Sequence, residues 1–373
     1  MKKLAGIIIN CPNQNNLKAM TDHRSIHTVP FGGKYRLIDF PLSNFVNSGI
    51  KKIGVIGSYK YRSLADHLGS GEDWDLSSKS NDLSILHGGK NKKIGEITRI
   101  SIQDFIDNKA FFRKIKDTTE HILLSNCNSI SNINVEEIFD FYKEKDADVL
   151  MVYKPNYTSD DLYKGVAVSV KRNRKIVKIL NNSDECMDHF NLYAGMMFIK
   201  LELLEAIIED AEESGELDLI DVIESNLNRF KVYGYPMEGY LKIVNSLKSY
   251  FDASMYQLDP EIQKELFYSN RRIYTKTKDN HPTKYNDKSK VKNSIIASGS
   301  HINGTVENSI IFREATIAEG AIIRNSVIMQ NCVIENNTEI VNGILDKYVR
   351  VTENKILKGT EDKPLLIKKD SVI

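Results

Sequence analysis

The sequence has almost no net charge, no closely spaced cysteines and no long apolar run, and each absence removes a class of function. Lys plus Arg number 51 and Asp plus Glu number 50 in 373 residues. No global field would therefore hold a nucleic acid or an anionic membrane, and the Lys-rich stretches read as solvated surface. The four cysteines, Cys11, Cys127, Cys186 and Cys332, form no CxxC pair. That speaks against a structural zinc site and for a reducing compartment. No stretch approaches the ~18 apolar residues of a spanning helix. The opening run Leu4–Ile9 gives way to Asn10 too early for a signal peptide, so a buried first strand is expected there. The expected location is cytoplasmic.

What is present first is a regular alternation. Short apolar runs at Leu4–Ile9, Ile53–Ile56, Ile122–Leu124 and Val149–Tyr153 are separated by helical patterns. Ser43–Gly49 ends on a helix-stop glycine, and Val135–Lys145 carries Ile138, Phe139 and Tyr142 at helical spacing. This predicts an α/β domain over residues 1–256, with a mostly parallel sheet covered on both faces. Ligands of such sheets sit outside the carboxyl ends of the strands, so the loops after Ile9, Ile56 and Leu124 are where chemistry is sought. Residues 257–290 are polar, include Pro260 and Pro282, and read as a connector with one helix at Glu261–Phe267.

Residues 291–373 follow another rule. Aliphatic residues recur every six positions at Ile296 and Ile302, at Ile311, Ile317 and Ile323, and at Ile328, Ile334 and Ile340. A longer period overlies this one: Asn293-Ser294-Ile295-Ile296, Asn308-Ser309-Ile310-Ile311, Asn325-Ser326-Val327-Ile328 and Asn342-Gly343-Ile344-Leu345, spaced 15, 17 and 17 residues apart. Hexads grouped in threes are what a three-sided parallel β-helix demands, with one inward aliphatic per face per coil. So short a solenoid needs caps or a partner at its ends and reads as an assembly module. His301 is the only histidine of these coils, which leaves little support for acyl transfer.

The string Val29-Pro30-Phe31-Gly32-Gly33-Lys34-Tyr35-Arg36-Leu37-Ile38-Asp39-Phe40-Pro41-Leu42-Ser43-Asn44 resembles the signature of bacterial glucose-1-phosphate adenylyltransferases, the ADP-glucose pyrophosphorylases. Asn47–Ile53, Tyr59-Lys60, Ser63-Leu64, His67-Leu68-Gly69, Tyr240-Leu241-Lys242, Ser249-Tyr250 and Asp252–Met255 are similar too. The coils complete that family's architecture, a Rossmann-like nucleotidyltransferase domain followed by a left-handed parallel β-helix of hexapeptide repeats. The resemblance implies attack of glucose 1-phosphate on the α-phosphorus of ATP, releasing diphosphate. That chemistry needs a backbone cradle and cations for the triphosphate, and a divalent metal held by carboxylates.

On that resemblance, the expected parts are replaced. The Gly- and Arg-rich cradle after the first strand reads Cys11-Pro12-Asn13-Gln14-Asn15-Asn16-Leu17, where Pro12 removes a backbone donor. Ile26 stands where the family has a lysine. A Gly-Asp-His motif becomes Ser125-Asn126-Cys127-Asn128, with Cys127 at the aspartate. A second metal aspartate falls at Ile243, and the lysine expected near Asn181-Asn182-Ser183 is absent. Mg²⁺ wants hard oxygen ligands, which Cys and Ile do not supply. His23 and His27, four apart, read as loop histidines rather than a substitute metal site, and Cys127 as a small buried residue rather than a nucleophile.

The resemblance therefore implies a GlgD-type, catalytically degenerate subunit. No catalytic residue and no cofactor are expected in this chain, Mg²⁺ belonging to a catalytic glucose-1-phosphate adenylyltransferase partner. The partnership expected is a homodimer or heterotetramer serving glycogen synthesis. An active adenylyltransferase with unusual residues, and a scaffold without ligand, remain the alternatives. Asp39 and Arg36 read as tying the glycine loop to the first helix, the favoured role for Asp39; for Lys34 and Arg36 a role in binding an anionic effector or lining a subunit interface weighs equally. Tyr193-Ala194-Gly195, Tyr240 and Lys242 align with sugar-pocket strings, which leaves a vestigial sugar-phosphate pocket or plain sheet-edge packing.

Overall fold

The computed structural model describes residues 3–10, 14–58, 60–78, 82–89, 99–158, 165–180 and 189–373. Its first strand, Leu4–Ile9 (β1), is buried at every residue. The two faces feed different cores: Leu4 and Ile8 join one apolar cluster, and Ala5, Ile7 and Ile9 another. Two-sided burial is what a continuous apolar run demands. Between them Gly6 lets the Phe45 ring lie against the backbone, since a Cβ there would sit 2.4 Å from Phe45 Cδ2.

Eight more strands extend β1 into a nine-stranded sheet. They are Lys52–Gly57 (β2), Asp82–His87 (β3), His121–Asn126 (β4), Val149–Tyr157 (β5), Ala167–Val170 (β6), Ile176–Leu180 (β7), Phe190–Lys200 (β8) and Val232–Pro236 (β9). The order is β7-β6-β8-β4-β1-β2-β3, with β5 also on β8 and β9 on β5. Neighbours among β1–β4 run parallel, as do β5 and β9. Strand β8 runs antiparallel to both β4 and β5 and joins the two parallel blocks. All four expected strands are present in this mostly parallel sheet.

The expected helices appear as Asp39–Asn47 (α1), Val135–Glu144 (α2) and Pro260–Phe267, with Leu247–Tyr256 added before the last. Pro260 opens its helix at the first position, and the Asp259 carboxylate accepts the Glu261 amide at 2.8 Å. Both are start signals with a physical basis, because the first helical N–H groups have no partner within the helix.

From Lys284 the chain winds into three parallel sheets of five strands each. Pairing begins with Lys284–Tyr285 against His301–Ile302, inside the stretch expected as connector and ahead of Val291. The Asn-Ser repeat has a clear cause. Asn293, Asn308, Asn325 and Asn342 turn the corner with φ of 43, 46, 44 and 50°, a region asparagine tolerates through local hydrogen bonds of its short side chain. The serine that follows links coils: Ser309 N donates to Ser294 Oγ (3.1 Å), Ser326 N to Ser309 Oγ (3.1 Å) and Gly343 N to Ser326 Oγ (3.0 Å).

The aliphatic doublets serve two cores. Ile311, Ile328 and Leu345 point into the solenoid, whereas their predecessors Ile310, Val327 and Ile344 pack with the α/β domain. All six are fully buried. One inward aliphatic per face per coil therefore accounts for half of each doublet. The other half holds the β-helix against the α/β domain, alongside an ion pair of Arg24 with Asp346 at 2.8 Å.

Candidate functional site

The carboxyl end of β4 leads into Cys127, whose side chain is fully buried in the larger apolar cluster. The short strand Ser129–Ile130 after it pairs antiparallel with Lys242–Ile243, placing Ile243 opposite Ser129. Asn128 and Val244 close the junction reciprocally. Val244 N donates to the Asn128 carbonyl (3.0 Å), and Asn128 Nδ2 donates to the Val244 carbonyl (2.8 Å). The fold thus brings the two loops together, and with them the two positions that the resemblance assigns to metal carboxylates. What they bring is a buried thiol and an alkyl chain. These do not fit Mg²⁺, which binds hard oxygen donors. No group of three or more His, Cys, Asp or Glu able to hold a metal occurs among the described residues.

Beside this junction, β8 bulges between Tyr193 and Met196. Gly195 sits in the bulge at φ +76°, with the Asn126 side chain so near that a Cβ would lie 2.6 Å from its Nδ2. The Ala194 carbonyl accepts from Ser129 Oγ at 3.1 Å. Ala194 and Gly195 therefore touch the β4 loop through backbone, and a side chain at position 195 would displace Asn126. Tyr193 points into the second apolar cluster, where its hydroxyl has no hydrogen-bond partner among the described residues. Burial, then the Asp218 charge, raises its pKa.

Tyr240 also has a buried hydroxyl without a described partner, and burial raises its pKa. Lys242 is nearly buried, 3.8 Å from Asp252 Oδ2 and 5.4 Å from the Tyr256 ring centroid. Of the suggested sugar pocket, then, Gly195 and Ala194 lie against Asn126 and Ser129 on either side of Cys127, while Lys242 is engaged with Asp252.

Lys34 and Arg36 lie elsewhere, in a cleft between the α/β domain and the β-helix, with Lys276, Lys278, Arg313 and Lys347. Asp39 shapes this corner as expected of a tether: Oδ2 accepts the Arg36 amide (2.9 Å) and Oδ1 meets His67 Nε2 (2.6 Å). Arg36 Nη1 donates to the Ser63 carbonyl at 2.9 Å. Burial lowers the pKa of Lys34, and the charges of Arg313 and Arg272 lower it further. Lys347 falls to about 7, through burial first and then the nearby Arg36 and Arg24. Sequence reasoning found Lys34 and Arg36 but not their companions, which come from distant parts of the chain without a motif.

The remaining candidates separate. His23 is exposed, whereas His27 is fully buried. The pair therefore has no common face for a metal. Cys11, Pro12, Asn13, Tyr59, Asn181, Asn182, Ser183 and Cys186 lie outside the described residues. No helix among the described residues is long and apolar enough to cross a membrane.

Residues 6–259 match the nucleotidyl transferase family model, and residues 279–363 the GlmU-like C-terminal hexapeptide model. The protein's class is thus a nucleotidyl transferase domain carrying a left-handed hexapeptide β-helix. Over 371 residues the chain is 31% identical to glycogen biosynthesis protein GlgD of Bacillus subtilis (strain 168), covering 99% of this chain and 97% of that one. It is 32% identical over 370 residues to GlgD of Geobacillus stearothermophilus, with the same coverage of 99% and 97%. Glucose-1-phosphate adenylyltransferase of Thermosipho africanus (strain TCF52B) is 30% identical over 323 residues, 86% of this chain and 78% of that enzyme. The chain belongs to the glucose-1-phosphate adenylyltransferase family and is of the GlgD type.

Proposed function

We propose that this chain is a catalytically degenerate, cytoplasmic subunit that regulates a catalytic glucose-1-phosphate adenylyltransferase and so supports ADP-glucose formation for glycogen synthesis. The observation that carries the reading is the Asn128–Val244 junction. The fold keeps the two loops of the metal site joined by paired hydrogen bonds, yet presents Cys127 and Ile243 there. A scaffold maintained while its donors are replaced fits a subunit that acts through assembly.

The cleft of Lys34 and Arg36 supports the regulatory half. A cation-lined seam between two domains gives an anionic effector leverage on their packing, because binding energy at the seam differs between open and closed arrangements. The subunit would join its partner as a heterotetramer, with Mg²⁺ bound by the partner.

The test is steady-state synthesis of ADP-glucose by this chain alone, by the catalytic paralogue alone, and by both mixed. Negligible turnover alone with altered partner kinetics is expected. Turnover of about 1 per second or faster by this chain alone, in the ordinary enzyme range, would refute the reading.

A further inference from the structure

The sequence holds two Asn-Gly steps, Asn303-Gly304 and Asn342-Gly343, both at corners of the β-helix. Each pairs a half-buried asparagine with a buried glycine, so exposure does not tell them apart. Their hydrogen bonds do. At the second step the Asn342 carbonyl accepts the Leu365 amide (3.0 Å), the Gly343 amide donates to Ser326 Oγ (3.0 Å), and Asn342 Nδ2 donates to the Gly359 carbonyl (3.2 Å). At the first, the flanking groups are held: Asn303 N donates to the Ile317 carbonyl (2.8 Å), and the Gly304 carbonyl accepts the Lys290 amide (3.0 Å). The peptide group between them is not held. Among the described residues neither the Asn303 carbonyl, nor the Gly304 amide, nor the Asn303 side chain makes a hydrogen bond.

The fold also dictates the glycine. Only two residues, Asn303 and Gly304, join the strands His301–Ile302 and Thr305–Glu307, whereas residues 318–321 join Thr316–Ile317 to Ile322–Arg324 one coil later. The shorter corner is why Asn293 and Asn308 stand 15 residues apart and the later repeats 17. Gly304 tucks beneath the longer corner, where a Cβ would lie 2.4 Å from the Ala321 carbonyl oxygen. Packing therefore demands glycine after Asn303, and glycine leaves the approach to its own amide nitrogen unshielded.

We infer that Asn303 is a site of spontaneous deamidation and that Asn342 is protected by its bonds. The Gly304 amide nitrogen attacks Cγ of Asn303. The new N–C bond closes a succinimide ring, the Cγ–Nδ2 bond breaks, and the Gly304 amide proton leaves with Nδ2 as ammonia. Water then opens the ring at either carbonyl, giving aspartate or, with the backbone rerouted through Cγ, isoaspartate; nothing is oxidised or reduced. The attack requires the peptide group to rotate. At Asn342 that rotation breaks the bonds to Leu365 and Ser326, each worth roughly a factor of ten in population. At Asn303 no bond of that peptide group is lost. The product places an added negative charge, and in the isoaspartyl form an extra backbone carbon, at a β-helix corner. The inference goes beyond the regulatory reading and is independent of it, since it requires neither a partner nor an effector.

The experiment incubates the full chain in ¹⁸O-labelled water at mildly alkaline pH and follows both steps by peptide mass mapping, the label marking conversion that precedes digestion. In the folded protein Asn303 should convert at least roughly tenfold faster than Asn342. In urea the two rates should converge, because both are Asn-Gly steps once the fold is gone. Asn303→Gln keeps the amide but disfavours the larger ring, and should remove the signal from that peptide. The wild-type comparison decides without any variant. An Asn303 that stays intact while the urea-unfolded chain converts overturns the proposal, and so do equal rates at the two steps in the folded protein.

Discussion

Arg24 of the α/β domain meets Asp346 of the β-helix at 2.8 Å, with only 6% and 1% of their side chains exposed. The pair spans the domain seam, and each ion is costly to bury without the other. Asp346→Ala should therefore destabilise the protein by about 3–5 kcal/mol, whereas Arg24→Met with Asp346→Leu should cost much less. A double-mutant cycle by urea unfolding measures the coupling. A double variant that costs the sum of the two single ones would mean that the pair is not coupled.

The doublets predict two cores of similar weight. Ile311→Ala empties the solenoid interior and Ile310→Ala empties the domain seam, and each should cost about 2–5 kcal/mol. Val333, 38% exposed on an outer face, should change stability by less than about 0.5 kcal/mol when replaced by alanine. Denaturant midpoints compare the three directly. A neutral Ile310→Ala would mean that the outer residue of the doublet is not part of a core.

His27 predicts an acid-sensitive fold. Burial lowers its pKa from 6.5 to about 4, so the unfolded chain binds more protons than the native one between those values. Stability should then be fully present above pH 6.5 and fall as the pH drops toward about 4. Urea unfolding across that window should show a steep slope in the native protein and a shallower one in His27→Gln. Identical slopes would assign the acid sensitivity to other groups.

On the proposed reading as a degenerate subunit, a carboxylate placed at one of the two positions should not confer synthesis. Cys127→Asp or Ile243→Asp supplies one oxygen donor where several are needed, and groups that act as a unit give non-additive effects. Each single variant should stay far below about 1 per second in an assay with ATP, glucose 1-phosphate and Mg²⁺. Robust turnover by either one would show that a single replacement accounts for the loss.

Much of this protein was legible in its residues because the relevant patterns are local. Leu4–Ile9 reads as a buried strand from its own composition, and it is buried on both faces. The hexads and the Asn-Ser doublets announce a three-sided coil, since each repeat meets the same neighbours one turn away. The string from Val29 to Asn44 carries the family on its own.

Tertiary structure decided what contiguous residues do not encode. Strand β8 sits between two parallel blocks and bulges at Gly195 because Asn126, far away in sequence, lies against it. The outer isoleucines of the doublets look like surface until the α/β domain covers them. The loops that carry Cys127 and Ile243 are joined where Asn128 and Val244 bond across 116 residues of chain. Lys34, Arg36, Lys278, Arg313 and Lys347 become one cluster only when the β-helix closes on the first domain. Periodicity is set by neighbours along the chain, so it survives in the sequence; proximity between distant segments is set by the packing of whole elements, and no local pattern records it.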